Sequence, residues 1–113
     1  GGELQKVVIA RALAQEPELL LMDEPTSSLD LRNQLEVLRL IRQITRERGI
    51  AAVVAMHDLN LALRFADRFI LLKDKHIFSA GGHEIMTAEN IEAVYAVPVA
   101  MSSHNGHRFV IPL

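Results

Sequence analysis

Four consecutive apolar residues, Leu19-Leu20-Leu21-Met22, run directly into Asp23-Glu24-Pro25. A short apolar run halted by two acids and a proline has the pattern of a strand buried on both faces that stops abruptly. Thr26-Ser27-Ser28 supplies turn chemistry, and Asp30 is placed to cap a helix. From Leu31 to Arg48 the residues Leu31, Leu35, Leu38, Ile41 and Ile44 keep one apolar stripe, with Arg39, Arg42 and Arg46 off it and Gly49 as a stop. Ile50 to Met56 then repeats the buried-strand pattern. Strand, helix and strand in this order predict a parallel pair joined by a right-handed crossover helix, and so an α/β fold.

The flanking segments fit around that unit. Leu4, Val7, Val8 and Leu13, with alanines between them, predict an amphipathic helix over residues 3–15. After His57, Asp58 can cap a helix running through Leu59, Leu61, Leu63 and Phe65 to Ala66. Phe69–Leu72 and Ile77–Ala80 flank Lys73-Asp74-Lys75-His76 as an antiparallel hairpin, closed by Gly81-Gly82. Thr87 opens a short helix over Ala88–Tyr95. Val99–Met101 and Phe109–Ile111 bracket Asn105-Gly106, a strong two-residue hairpin signal. No repeat or interdomain linker interrupts the chain, so residues 1–113 are expected to form one unit.

Composition removes several functions. Twelve Lys and Arg stand against 14 Asp and Glu in 113 residues, for a formal charge of −2. That balance argues against gripping nucleic acid through a basic surface. The absence of cysteine excludes disulfides, zinc–thiolate sites and thiol catalysis. No apolar stretch approaches the roughly 20 residues of a membrane-spanning helix.

The chemistry-bearing residues lie at the strand ends. Open parallel sheets place ligands at the C-terminal edge of their strands. Asp23 there can hold a hydrated Mg²⁺, while Glu24, its neighbour, can orient or deprotonate an attacking water. Because parallel neighbours end on the same edge, His57 is expected beside Glu24, where it could donate a hydrogen bond to a phosphate or to that water. Taken singly, each has a bland reading, a polar strand stop or a structural histidine. Gly1-Gly2-Glu3 at the mouth of a helix would let backbone N–H groups approach a phosphate. A start on Gly1-Gly2 without a methionine also reads as part of a longer chain. His104 and His107 flank the Asn-Gly turn with no third ligand near in sequence and are expected to be solvated.

Together these blocks resemble one family. Gly1-Gly2-Glu3-Leu4-Gln5-Lys6-Val7 with Ile9-Ala10-Arg11-Ala12-Leu13-Ala14, then Leu19 through Asp30, then Met56-His57-Asp58-Leu59, are similar in order and spacing to the ATPase domain of ABC transporters. They match the end of its signature motif, its Walker B strand, its D-loop and its switch histidine. The resemblance implies a P-loop NTPase-like half-domain: parallel strands and a crossover helix, then antiparallel hairpins and a short C-terminal helix. It implies that Asp23 orders Mg²⁺, that Glu24 polarises the hydrolytic water and that His57 contacts the γ-phosphate of ATP. Ser28 and Asp30 would report across a head-to-tail dimer with a second ATPase subunit, and Gly1 and Gly2 would face the ATP held by that subunit. Transmembrane permease subunits are the other implied partner, with the ATPase at the cytoplasmic face of the membrane and no role for nucleic acid. Residues 58–67, with Val94-Tyr95 and Val110-Ile111-Pro112, resemble importers of iron-siderophore, haem or cobalamin complexes.

The chain departs from the family pattern in one decisive way. No G-x-x-x-x-G-K-[ST] loop occurs anywhere, and that loop supplies the cradle and the lysine for the phosphates. The chain on its own is therefore expected neither to bind ATP tightly nor to hydrolyse it. An SMC-like DNA-repair or chromosome ATPase shares the Gly-Gly-Glu and Asp-Glu-Pro elements and is the rival within the ATPases. A non-catalytic dimerising module is the rival from another class. In the family a further strand lies between the His57 strand and the Phe69–Leu72 strand. Without it, these two are expected to pair directly, to exchange with another chain through their exposed edges, or to leave one of them disordered.

Overall fold

The computed structural model describes residues 2–113. The chain folds as two compact units, Gly1–His57 and Asp58–Leu113.

The first unit holds α1 (Glu3–Leu13), β1 (Leu19–Asp23), α2 (Leu31–Arg48) and β2 (Ala51–Ala55). The expected strand, helix and strand form as read: β1 and β2 pair in parallel, with Leu19 opposite Ala51 and Asp23 opposite Ala55. Helix α2 has the bounds its sequence signals set. The Asp30 side chain accepts the Asn33 N–H at its start, and Gly49 ends it at φ 65°, where the missing Cβ removes the usual penalty. Val37, Leu38 and Ile41 are buried on its inner face, while Leu31 at its mouth stays exposed. Helix α1 lies against α2: a Cβ on Gly2 would fall 3.5 Å from Asn33 Oδ1, and Lys6 Nζ stands 3.6 Å from Glu36 Oε2.

Two expectations about burial are corrected here. Strands β1 and β2 are covered on one face only. Leu20 is buried, but Leu19, Leu21 and Val53 on the opposite face are exposed, Leu21 at 74%. A continuous apolar run shows that both faces suit an apolar neighbour; it does not supply that neighbour. Similarly, α1 buries Ile9, whereas Leu4, Val7 and Val8 of its expected stripe face outward.

The second unit holds α3 (Leu59–Phe65), β3 (Phe69–Lys73), β4 (His76–Gly81), a 3₁₀ turn at His83–Ile85, α4 (Ala88–Tyr95), β5 (Val99–His104) and β6 (His107–Pro112). Both hairpins form where expected. Asn105 and Gly106 take φ 50° and 80°, and Asp74 and Lys75 reach the same left-handed region without glycine. Asp58 and Thr87 cap α3 and α4 by accepting the Leu61 and Asn90 N–H groups. The core is Leu63, Phe69, Leu71, Met86, Ile91, Val99 and Val110. The 3₁₀ turn has no counterpart in the sequence reading; Glu84 holds it by accepting the Gly82 N–H at 2.9 Å. The backbone N–H of Glu84 itself, and after it the Gly82 N–H, keep the Glu84 carboxyl below its ordinary range.

The direct pairing expected between the His57 strand and the Phe69–Leu72 strand is not formed. Among the described residues β2 is bonded to β1 and β3 to β4, in separate two-stranded sheets. Both antiparallel hairpins close with the strand nearest in sequence, where loop closure costs least.

Candidate functional site

The first unit builds its polar centre at the C-terminal ends of β1 and β2. The parallel register ends on Asp23 and Ala55, and the Glu24 N–H extends it by donating to Ala55 O at 2.8 Å. Two residues beyond Ala55, His57 Nε2 meets Glu24 Oε1, so the expected meeting of these residues across the strand ends is observed. The His57 side chain is 88% exposed and that of Glu24 34%. A polar contact so open to water adds only about 0–1 kcal/mol to stability. Its arrangement is better suited to chemistry. A half-buried carboxylate can accept a proton or hydrogen bond from water, and the imidazole beside it can donate one.

The chain after Glu24 turns sharply. Glu24 sits at φ 47° and Ser28 at φ 68°, conformations that cost a non-glycine residue roughly 1–2 kcal/mol each. Local bonds hold them: Ser27 Oγ and the Ser27 N–H both donate to Glu24 O, at 3.1 and 3.2 Å, and the Leu29 N–H donates to Thr26 O. Pro25 and Thr26 are buried, and Gln34 Nε2 reaches from α2 to Thr26 O at 3.5 Å. Strain of this kind, held by the surrounding structure, is a recurrent property of functional turns.

The remaining expected residues fall as follows. Asp23 is exposed at the strand end, one residue from Glu24. Its hard carboxylate oxygen suits Mg²⁺. Among the described residues no group of three or more His, Cys, Asp or Glu gathers to hold a metal, so such an ion would take its other ligands from water and phosphate. Asp30 is committed to the α2 cap, accepting both the backbone N–H and the side-chain amide of Asn33 through Oδ1. The Asn33 backbone donation is the main cause holding the Asp30 carboxyl below its ordinary value. Ser28 is exposed on the turn between Glu24 and Asp30. Gly2 is buried at the N-terminus of α1 with φ 98°, a conformation that requires glycine, and its carbonyl accepts the Lys6 N–H at 3.0 Å. The expectation for Gly1 lies outside the described residues. The sequence reading misses Asn33 and Gln34, which brace the turn, and takes Thr26 only as turn chemistry. The Asp30-to-Asn33 spacing was a usable capping signal; nothing in the sequence marked Thr26 for burial.

Three comparisons bear on this geometry. Residues 1–27 match the family model for the ABC transporter. The chain is 56% identical, over its whole length and 44% of the relative's, to an uncharacterized ABC transporter ATP-binding protein of Methanocaldococcus jannaschii. It is 48% identical to a phosphite import ATP-binding protein of Stutzerimonas stutzeri, over 85% of this chain and 35% of that one. Among solved structures, a putative metal-chelate type ABC transporter in an inward-facing conformation matches with a TM-score of 0.87 and 33% identity, covering 99% of this chain and 46% of that one. The chain thus spans less than half the length of these relatives. Along its whole length the chain is similar, in sequence and fold, to part of the ATP-binding domain of ABC transporters.

Proposed function

We propose that the chain contributes the hydrolytic edge of the ATPase subunit of an ABC importer, and that the cargo is a metal chelate. The observation that carries this reading is the meeting of His57 and Glu24 at the ends of two parallel strands, with Asp23 one residue away. Glu24 would align the attacking water and accept its proton. His57 would hold the water or the terminal phosphate by hydrogen bonding, and Asp23 would face the Mg²⁺. The metal, when bound, would neutralise charge on the phosphates. Ser28, Asp30 and Gly2 lie on the turn and helix mouth through which a second ATPase subunit would be met. Permease subunits would place the assembly at the cytoplasmic face of a membrane. No helix among the described residues is itself long and apolar enough to cross one.

The phosphate cradle must come from outside these 113 residues, because they contain no P-loop. The chain on its own is therefore proposed to be inactive. The transporter relatives favour this reading over the chromosome ATPase and the non-catalytic module. The chelate cargo is supported by residues 58–67 and by the metal-chelate type structure; the phosphite relative defines the competing outcome.

The test uses a complete ATPase carrying this sequence, assembled with its permease. Glu24→Gln should abolish ATP hydrolysis while ATP binding persists, and uptake should be selective for a haem, siderophore or cobalamin complex. Hydrolysis that survives Glu24→Gln refutes the site. Uptake of phosphite in place of a chelate refutes the cargo.

A further inference from the structure

Helix α3 is tied at its first turn to the C-terminal hairpin by one side chain. Asn60 Oδ1 accepts the Val110 N–H at 2.7 Å, and Asn60 Nδ2 donates to Val110 O at 3.3 Å. The two residues are 50 positions apart. The amide thereby imitates a neighbouring strand and satisfies the outer edge of β6 at a buried residue, Val110. Strand β6 is anchored a second time by Arg108, whose Nη1 donates to His83 O at 2.9 Å and whose Nη2 bonds Met86 O. A polar residue in the first turn of a helix ordinarily faces water. Here it carries a bidentate long-range contact, three residues after His57 in the chain.

We propose that Asn60 is a positioning residue through which the β5–β6 hairpin sets the start of α3, and with it the Asp58 that directly follows His57. The hairpin is then a coupling element: a change at its tip is felt at the chain segment leaving the hydrolytic edge. Two amides report on Asp58. The Leu61 N–H donates to Asp58 Oδ1 at 3.0 Å and the Ala62 N–H to Asp58 O at 3.1 Å. A third, the Ile91 N–H bonded to Thr87 O at 3.0 Å in a helix with Ile91 fully buried, reports opening of the second unit as a whole.

The link is tested on this chain by amide hydrogen exchange in a double-mutant cycle. Gly106→Ala loads the hairpin tip, because Gly106 holds φ +80° with open space around it. It should speed exchange at Leu61 and Ala62 about fivefold with Asn60 present, leave Ile91 unchanged, and have no such effect once Asn60 is alanine. Equal effects in both backgrounds, no effect in either, or parallel acceleration at Ile91 overturn the proposal. If Asn60→Ala fails to fold, Asn60→Asp keeps the acceptor for the Val110 N–H, loses the donor and should give intermediate coupling; full coupling with Asp overturns it. The consequence for turnover rests on the ATPase reading above. In a complete, active ATPase Asn60→Ala should lower kcat about fivefold with KM for ATP unchanged, and an unchanged kcat overturns the positioning role. A wild-type protein without ATP hydrolysis defeats that reading instead, and the exchange cycle still decides the link.

Discussion

Leu20 and Leu21 are neighbours on β1 that point to opposite faces, and truncating each separates what the two faces contribute. Leu20 is 5% exposed and Leu21 74%. At a closed site a leucine-to-alanine change loses both transfer energy and the cavity left behind, so Leu20→Ala should cost about 2–5 kcal/mol. Leu21 keeps only a quarter of its surface in contact. Scaling the roughly 1.5–3 kcal/mol of a fully buried leucine by that fraction leaves about 0.5 kcal/mol for Leu21→Ala. In a urea titration followed by far-UV circular dichroism, with a slope of about 1–2 kcal/mol/M, Leu20→Ala should lower the midpoint by more than 1 M or prevent folding of the first unit. Leu21→Ala should move it by a few tenths of a molar. Equal costs would refute the reasoning, because they would mean that the Leu19, Leu21 and Val53 face is covered in solution. A midpoint that rises with protein concentration would then identify the cover as a second copy of the chain.

Four further outcomes follow from the same structure. Asp58→Ala removes the α3 cap and should lower stability by about 1 kcal/mol, seen in a urea midpoint and in faster exchange at Leu61. Ile91→Ala, at a residue with no exposed surface, should cost about 2–5 kcal/mol and lower Tm by several degrees in calorimetry. Asp30 has a folded-state pKa below its ordinary 3.8, so its contribution to stability is complete above that value and is lost as pH falls through the lower folded value. Asp30→Asn should accordingly flatten the acid limb of a stability-against-pH curve; an unchanged acid limb refutes this. Titration calorimetry of the chain alone with Mg-ATP should show no binding at micromolar affinity, and stoichiometric binding would refute the account of the missing cradle.

Where local chemistry decides, the sequence and the structure agree to the residue. Helix α2 keeps its bounds, Leu31–Arg48, because Asp30 and Gly49 terminate it and one apolar stripe runs between them. The Asn105-Gly106 turn forms because both residues accept positive φ. Burial was less legible, because it depends on what lies across from a face. The runs Leu19–Met22 and Ala51–Ala55 are equally apolar on both sides, yet only one side is covered. Helix α1 shows the same limit: its alanines and valines suit either orientation, and packing against α2 through Gly2 and Lys6 selected Ile9 for burial. The role of Asn60 is illegible in the sequence for a different reason. Its two bonds go to a backbone 50 positions away, and no local pattern marks a contact of that kind.

The meeting of Glu24 and His57 was legible because it depends on register. Side chains alternate along a strand, so a slip of one residue would turn Leu20 outward and Leu21 inward. The burial of Leu20, with Met22 and Val54 half-covered on the same face, fixes Asp23 opposite Ala55. From that pairing the left-handed turn at Glu24 and the two residues beyond Ala55 bring carboxylate and imidazole together. The polar pair adds little stability of its own, so its placement is a consequence of the apolar register rather than a cause of it. Substitutions that shift the register should therefore separate Glu24 from His57 without touching either residue, whereas replacing His57 should leave the β1–β2 pairing intact.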